Sequence, residues 1–204
     1  MTASERTAPT TDEQIEAYTI GAPRVLGSTV LLADYDPDWP AQFERERTAI
    51  RGALGDRALR VEHVGSTSVP GLAAKPVIDI ILVVPDTTDE PAYVPALERA
   101  GYRLQIREPE WHQHRVFVKR FDDGDDTNVN LHVYQDGCVQ GDRDLVFRDW
   151  LRSNDADREL YERTKRTLAA RVWKYLQNYA DAKTEVIEDI RSRAGEPAGR
   201  CARC

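Results

Sequence analysis

Val61-Glu62-His63-Val64-Gly65-Ser66-Thr67-Ser68-Val69-Pro70-Gly71-Leu72-Ala73-Ala74-Lys75-Pro76-Val77-Ile78-Asp79-Ile80-Ile81-Leu82-Val83-Val84 reads as a strand, a Gly-Ser turn, a short basic loop and a second strand. The run Val77 to Val84 is almost continuously apolar and β-branched, which marks a strand covered on both faces. Its one acid is Asp79. An ionised carboxylate is costly to bury unless it is paired or bound to metal. Asp79 is therefore either a structural partner of Lys75 or an arginine, or a ligand for a divalent cation. Gly65, directly after a strand, lets the chain turn with no side-chain bulk. A turn of this kind offers backbone N–H groups to a phosphate. Ser66, Thr67 and Ser68 add hydroxyls that bond phosphate oxygens or cap a helix. Lys75 is placed to reach a phosphate or to pair with Asp79, and Pro76 fixes the chain as it enters the strand. Glu62 and His63 are adjacent, so they point to opposite faces and only one shares a face with the site.

Outward from this stretch, Asp36-Pro37-Asp38-Trp39-Pro40 signals a helix start, with Trp39, Phe43, Ile50 and Leu54 on one face and Gly55 as the stop. Val25 to Leu32 is an edge strand or an extended arm. Pro91 to Ala100 reads as a helix and Tyr102 to Ile106 as a short strand. Arg115 to Phe121 and Asn128 to Tyr134 form a hairpin around the acidic loop Asp122 to Asp126. From about residue 143 the pattern turns helical. One helix holds Leu145, Val146, Phe147, Trp150 and Leu151. A second, capped by Ser153-Asn154-Asp155, holds Leu160, Tyr161, Leu168 and Val172. A last one holds Val186, Ile187 and Ile190. Helix, strands with one intervening helix, then helices is an α+β (or α/β) order with a helical C-terminal part. Residues 1–22 are expected as a flexible leader, 23–194 as the folded domain and 195–204 as a disordered tail.

Composition bounds the function. A chain of 204 residues with 41% hydrophobic and 31% charged residues is sized for one globular domain. The formal net charge of -7 argues against a broad nucleic-acid surface. No apolar run approaches the roughly 20 residues needed to span a bilayer, and the leader lacks the apolar core of a secretory signal, so a cytoplasmic location is expected. Cys201-Ala202-Arg203-Cys204 has CxxC spacing, but it lacks the four ligands of a zinc site and the strand-to-helix context of a redox pair.

Further chemistry sits on later elements. Asn128, Asn130, His132 and Tyr134 share one strand face, where His132 is either a metal ligand or acid/base group or part of an exposed polar face. His112 and His114, at i and i+2, would share a face on a strand. Arg148 and Arg152 lie one helical turn apart and either clamp a phosphate or carboxylate or pair with Asp149, Asp155 or Glu159. Lys165 and Lys183 are surface residues or additional phosphate contacts.

Glu62 to Ile80 resembles the signature of the GrpB (UPF0157) family. Tyr35-Asp36-Pro37-Asp38-Trp39, Leu131-His132-Val133, Phe147-Arg148-Asp149-Trp150-Leu151-Arg152 and Tyr179-Ala180-Asp181-Ala182-Lys183 resemble its other blocks, in order over about residues 24–194. The resemblance implies a nucleotidyltransferase-like, polymerase-β-type mixed sheet packed by helices, and a nucleotide or coenzyme A context. That pattern has a Gly-Ser turn, Asp-x-Asp or Asp-x-Glu on the next strand and a third acid on a later one. Here Ile81 follows Asp79 at the second position, and Asn130 or His132 stands near the third. The resemblance thus implies a metal site built from Asp79, Glu62 and His132, holding Mg²⁺ (or Mn²⁺). It also implies ATP or a related nucleotide held by Gly65, Ser66, Thr67, Ser68, Lys75, Arg148 and Arg152. The expected reaction is nucleotidyl (adenylyl) transfer to a small-molecule acceptor, including acyl-adenylate formation and amide ligation. The alternative is a catalytically degenerate module that binds nucleotide or supports a partner. A metal-dependent hydrolase built on His63, His112, His114 and His132 ranks third.

Overall fold

The computed structural model describes residues 9–121 and 128–195. Its sheet has five strands: β1 (Arg60–Val64), β2 (Val77–Val84), β3 (Arg103–Glu108), β4 (His114–Lys119) and β5 (Asn128–Gln135). Their spatial order is β1-β2-β5-β4-β3. Only β2 and β5 run parallel; the other neighbours are antiparallel. This is the α+β mixed sheet expected from the sequence. The β2 strand lies between β1 and β5, which explains its apolar run: every residue but Asp79 is buried.

Seven helices surround the sheet among the described residues: α1 (Asp12–Tyr18), α2 (Trp39–Leu54), α3 (Val94–Arg99), α4 (Val139–Ser153), α5 (Asp155–Ala169), α6 (Leu176–Asp181) and α7 (Thr184–Arg193). The apolar stripe of α2 (Trp39, Phe43, Ile50 and Leu54) packs on Ile78, Ile80, Leu82, Leu131 and Val133, with Tyr93 and Leu97 beside it. Burying such side chains supplies about 1.5–3 kcal/mol each. The helix stops at Gly55, whose φ of 55° is left-handed. A buried carboxylate on this helix, Glu46, takes Lys119 Nζ at 3.0 Å and the Tyr102 hydroxyl, tying α2 to β4 on the face it covers.

On the opposite face Val64, Ile81, Val83 and Tyr134 pack with Cys138 and Leu145. Beyond them Val69 and Leu72 of the β1–β2 connection are gripped by Leu151 of α4, Tyr161 of α5 and Ile190 of α7. The C-terminal helices therefore hold the connection that carries the Gly-Ser turn.

Several expectations change. Residues 12–18, placed in the leader, form α1, capped by Thr11 and tied down by ion pairing of Asp12 with Lys174 at 2.6 Å. Val25 to Leu32 is an extended arm: Leu26, Val30 and Leu32 pack against Leu168, Ala169 and Trp173, and only isolated bridges join it to its neighbours. The α4 helix begins at Val139, before the expected residue 143, because Gly141 lies inside it. There the helix packs on Ile81 and Tyr134. Val172 falls beyond α5 and is exposed. The acidic loop Asp122 to Asp126 and the tail with Cys201 and Cys204 lie outside the described residues. Among the described residues no helix is long and apolar enough to cross a membrane.

Candidate functional site

The Gly-Ser turn follows β1 directly. Gly65 has φ 68° and ψ −175°, and Ser66–Ser68 make one 3-10 turn. A Cβ at Gly65 would run into the Asp79 carboxylate, so the bare backbone lies against that acid. The hydroxyls are already engaged. Thr67 Oγ1 donates to Val77 O at 3.0 Å and faces His63 Nε2 at 3.0 Å. Ser68 Oγ donates to Gly65 O at 2.6 Å. Thr67 and Ser68 are buried, so these two expected phosphate-bonding hydroxyls instead brace the turn. Ser66, half-buried, accepts from Lys165 Nζ at 3.0 Å.

Strand register decides which side chains meet. Asp79 pairs with Asn130 and Val64, and Ile81 pairs with His132 and Glu62. Directly paired residues share a face, so Glu62 and His132 lie on the Asp79 face. His63 lies on the other face, stacked on Phe43 at 4.8 Å. Asn130 Nδ2 donates to Asp79 Oδ1 at 3.0 Å, and His132 Nε2 stands 3.9 Å from the same oxygen. Burial alone would raise the Asp79 pKa. Hydrogen bonding and charge from His132, with help from Lys75 and Asn130, hold it below the ordinary value. Burial likewise pulls His132 down, and Asp79, with Asp144 and Glu108, more than reverses this.

His132 is the middle of a chain across the sheet. Its Nδ1 lies 3.2 Å from His114 Nε2, and His114 Nδ1 lies 2.7 Å from Glu108 Oε2. With Glu108 ionised, His114 donates to it from Nδ1 and accepts from His132 Nδ1, so His132 donates from Nε2 toward Asp79 only in its protonated form, with both ring nitrogens as donors. Glu108 was not read as part of this site, and His114 joined His132 only in the third-ranked hydrolase reading. The signal for His114 was its parity with Val116 and Val118 on a strand lying beside the His132 strand. His112, expected to share a strand face with His114, instead sits in a turn with φ 54°.

Two lysines lie near enough to Asp79 for its charge to act on them. Burial lowers Lys75 to about 8 and Lys183 to about 8, while Asp79 pulls each of them upward. Lys183, just before α7, lies over the Tyr179 ring at 4.5 Å. Arg120 reaches Asn130 Oδ1 at 3.0 Å and Val129 O at 2.8 Å. Lys165 has a different role: it is 2% exposed and donates to Ser66 and to Ala73 O. It is a strut behind the turn.

Arg148 and Arg152 do not join the Asp79 group. Arg148 holds Glu62 at 3.2 Å, His63 O at 2.9 Å and Asp149 at 2.8 Å. Arg152 grips Ser68 O at 3.0 and 2.8 Å. Both line a cleft of about 320 Å³ with Tyr35, Phe43, Glu44 and Glu62. The lining of that cleft includes neither Asp79, Lys75 nor His132. The cavity and the charged cluster are thus two places that adjoin one loop.

This geometry bears on the expected metal. Magnesium demands near-octahedral oxygen donors. Asp79 is the lone carboxylate at the spot, His132 brings nitrogen, and Glu62 is bridged to Arg148. Among the described residues no group of three or more His, Cys, Asp or Glu is placed to hold a metal ion. The expected set of Asp79, Glu62 and His132 is therefore not assembled, and the donors do not fit a dedicated magnesium site.

Comparison with known proteins gives a consistent picture. The family model described as GrpB protein matches residues 29–193. A UPF0157 protein of Halalkalibacterium halodurans is 52% identical over 194 residues, covering 95% of this chain and 97% of its own. The crystal structure of the conserved protein GrpB from Enterococcus faecalis superimposes with a TM-score of 0.69 at 33% identity, covering 80% of this chain and 96% of that one. A dephospho-CoA kinase of Mycolicibacterium paratuberculosis is 32% identical over 203 residues, covering 87% of this chain but only 49% of its own length.

Proposed function

The chain belongs to the GrpB family, and we propose that its Gly65 turn binds a nucleotide by its phosphates and supports nucleotidyl transfer to a small-molecule acceptor. The observation that carries this reading is the Asp79 carboxylate lying against the exposed backbone of Gly65, with Lys75 and Lys183 near enough for its charge to act on both. Two ammonium groups near one carboxylate leave positive charge to be met by a ligand, and phosphate is the anion that such a turn suits. ATP phosphates would lie over Gly65 and Ser66. The cleft lined by Tyr35, Phe43, Arg148 and Arg152 would take the acceptor.

In the transfer, an acceptor hydroxyl, amine or carboxylate attacks the α-phosphorus. The new bond forms as the bond to the bridging oxygen breaks, and pyrophosphate leaves with that electron pair, its charge met by Lys75 and Lys183. Asp79, kept ionised by His132, takes the proton of a hydroxyl or amine acceptor. A carboxylate acceptor gives an acyl-adenylate, from which an amine completes an amide. The Mg²⁺ or Mn²⁺ implied by the resemblance has no dedicated donor set among the described residues.

One observation favours the second reading, a nucleotide-binding module without transfer. Asn130 and Ile81 occupy the neighbouring positions where further acids would sit. The likeness to a dephospho-CoA kinase supports testing coenzyme A and dephospho-CoA beside ATP.

Thermal melting with each ligand tests binding. Saturation at about 100-fold over Kd adds about 2.7 kcal/mol, or roughly 5–10 °C in Tm for a chain of this size. Label from ATP carrying a radioactive α-phosphate should appear in an acceptor from a cell extract. No shift with any of the three ligands ends both readings. A shift without transferred label leaves the binding module.

A further inference from the structure

We propose that Lys75 and Lys183 take the place of a divalent cation at this turn, holding phosphate directly, with Asp79 as their counter-charge. This rests on the reading that the turn binds phosphate and adds how it does so.

The donor set and its surroundings carry the inference. A metal–phosphate site needs carboxylate oxygens that are free to coordinate and a local excess of negative charge. Here one oxygen of Asp79 receives the Asn130 amide at 3.0 Å and faces His132 at 3.9 Å. Its other oxygen lies against Gly65. The position two residues on, where a second ligand would stand, is Ile81, fully buried. Glu62, on the same face, is bound to Arg148.

The charges that face Asp79 are instead cationic. His132 on β5 stands 3.9 Å from it, and Lys75, in the loop before β2, and Lys183, the N-cap of α7, both feel its charge. Arg120 stands behind Asn130 and polarises the amide that bonds Asp79. The other acid near Lys183, Asp181, accepts from Thr10 N at 2.7 Å and from Gln177 at 2.7 Å. A dication placed at Asp79 would meet these like charges, whereas a phosphate would meet opposite ones. Asp79 is half-exposed, with 30% of its side chain open to solvent, so a ligand can reach the group.

The role of Asp79 then differs from that of a metal ligand, and the two roles give opposite results on neutralisation. Binding of inorganic pyrophosphate and of ATP would be measured by calorimetry on the whole chain, once with excess EDTA and once with Mg²⁺. The inference expects affinities in EDTA within about threefold of those in Mg²⁺. Asp79→Asn, which removes the competing anion, should bind metal-free pyrophosphate at least as tightly as the parent. Lys75→Met and Lys183→Met should each weaken it about tenfold, and Lys75→Arg should keep most of the affinity. The arginine variant, with the parent in EDTA, decides the matter even if a methionine variant fails to fold. Binding that requires Mg²⁺ and disappears in Asp79→Asn overturns the inference and leaves the nucleotide reading standing. Binding of neither probe under either condition overturns both.

Discussion

His63 and Glu62 are neighbours in the chain with opposite fates. His63 is 6% exposed, lies flat on Phe43 and meets Thr67 at 3.0 Å. Burial, the largest influence, lowers its pKa to about 4. The folded value lies below the unfolded one of about 6.5, so as pH falls through that window the unfolded chain takes up the proton first. Stability is therefore undiminished above about pH 6.5 and declines from there toward pH 4. At pH 5 the loss from this group alone is about 2 kcal/mol. Urea unfolding of the parent and of His63→Gln at pH 7 and pH 5 checks it: the parent should lose about 2 kcal/mol more than the variant between the two. At this scale the sequence is partly legible. Asp79 stands out because one acid interrupts an apolar run. That Glu62 rather than His63 shares its face follows only from the β1–β2 register, which local sequence does not set. The engagement of Thr67 and Ser68 with the fold was equally hidden, because a hydroxyl that braces a turn and one that awaits a ligand look alike in sequence.

The elements were legible where period and punctuation agreed. The α2 stripe, the two strands of the opening stretch and the hairpin of β4 and β5 all follow their patterns. At α5, Asn154 caps the helix by accepting from Asp157 N at 3.0 Å, as Ser153-Asn154-Asp155 led one to expect. Asn154→Ala should lower stability by about 1 kcal/mol, seen as a fall of roughly 2–4 °C in Tm. No change would mean that tertiary packing, not the cap, sets this helix start. Tertiary ties at that point are strong: Asp157 also takes Trp150 Nε1 at 2.7 Å and two bonds from Arg193. The start of α4 was misread because Gly141 looked like punctuation. Its meaning depends on a sheet surface dozens of residues away, against which it packs.

At the scale of the whole molecule, α1 shows what local signals miss. A seven-residue helix is marginal in isolation. It holds because Asp12 pairs with Lys174, Glu16 accepts from Tyr175 at 3.0 Å and Ile20 N donates to Gln105 O at 2.8 Å. The last contact places the N-terminal segment along β3, the outermost strand of the sheet. Removing residues 1–20 should lower Tm and uncover that edge to pairing with other copies. Thermal melting and light scattering would register both effects, and an unchanged profile in each would show that the segment protects nothing. A wider consequence lies in the parallel pairing of β2 with β5. Asp79 and Asn130 are 51 residues apart, and α3, β3 and β4 lie between them. A ribosome-bound chain that has not yet emerged through β5 can have its turn and its acid but not the Asn130 partner of that acid. Loop closure over that distance is among the slow steps of folding, so the Asp79–Asn130 pair is among the last features the nascent protein acquires.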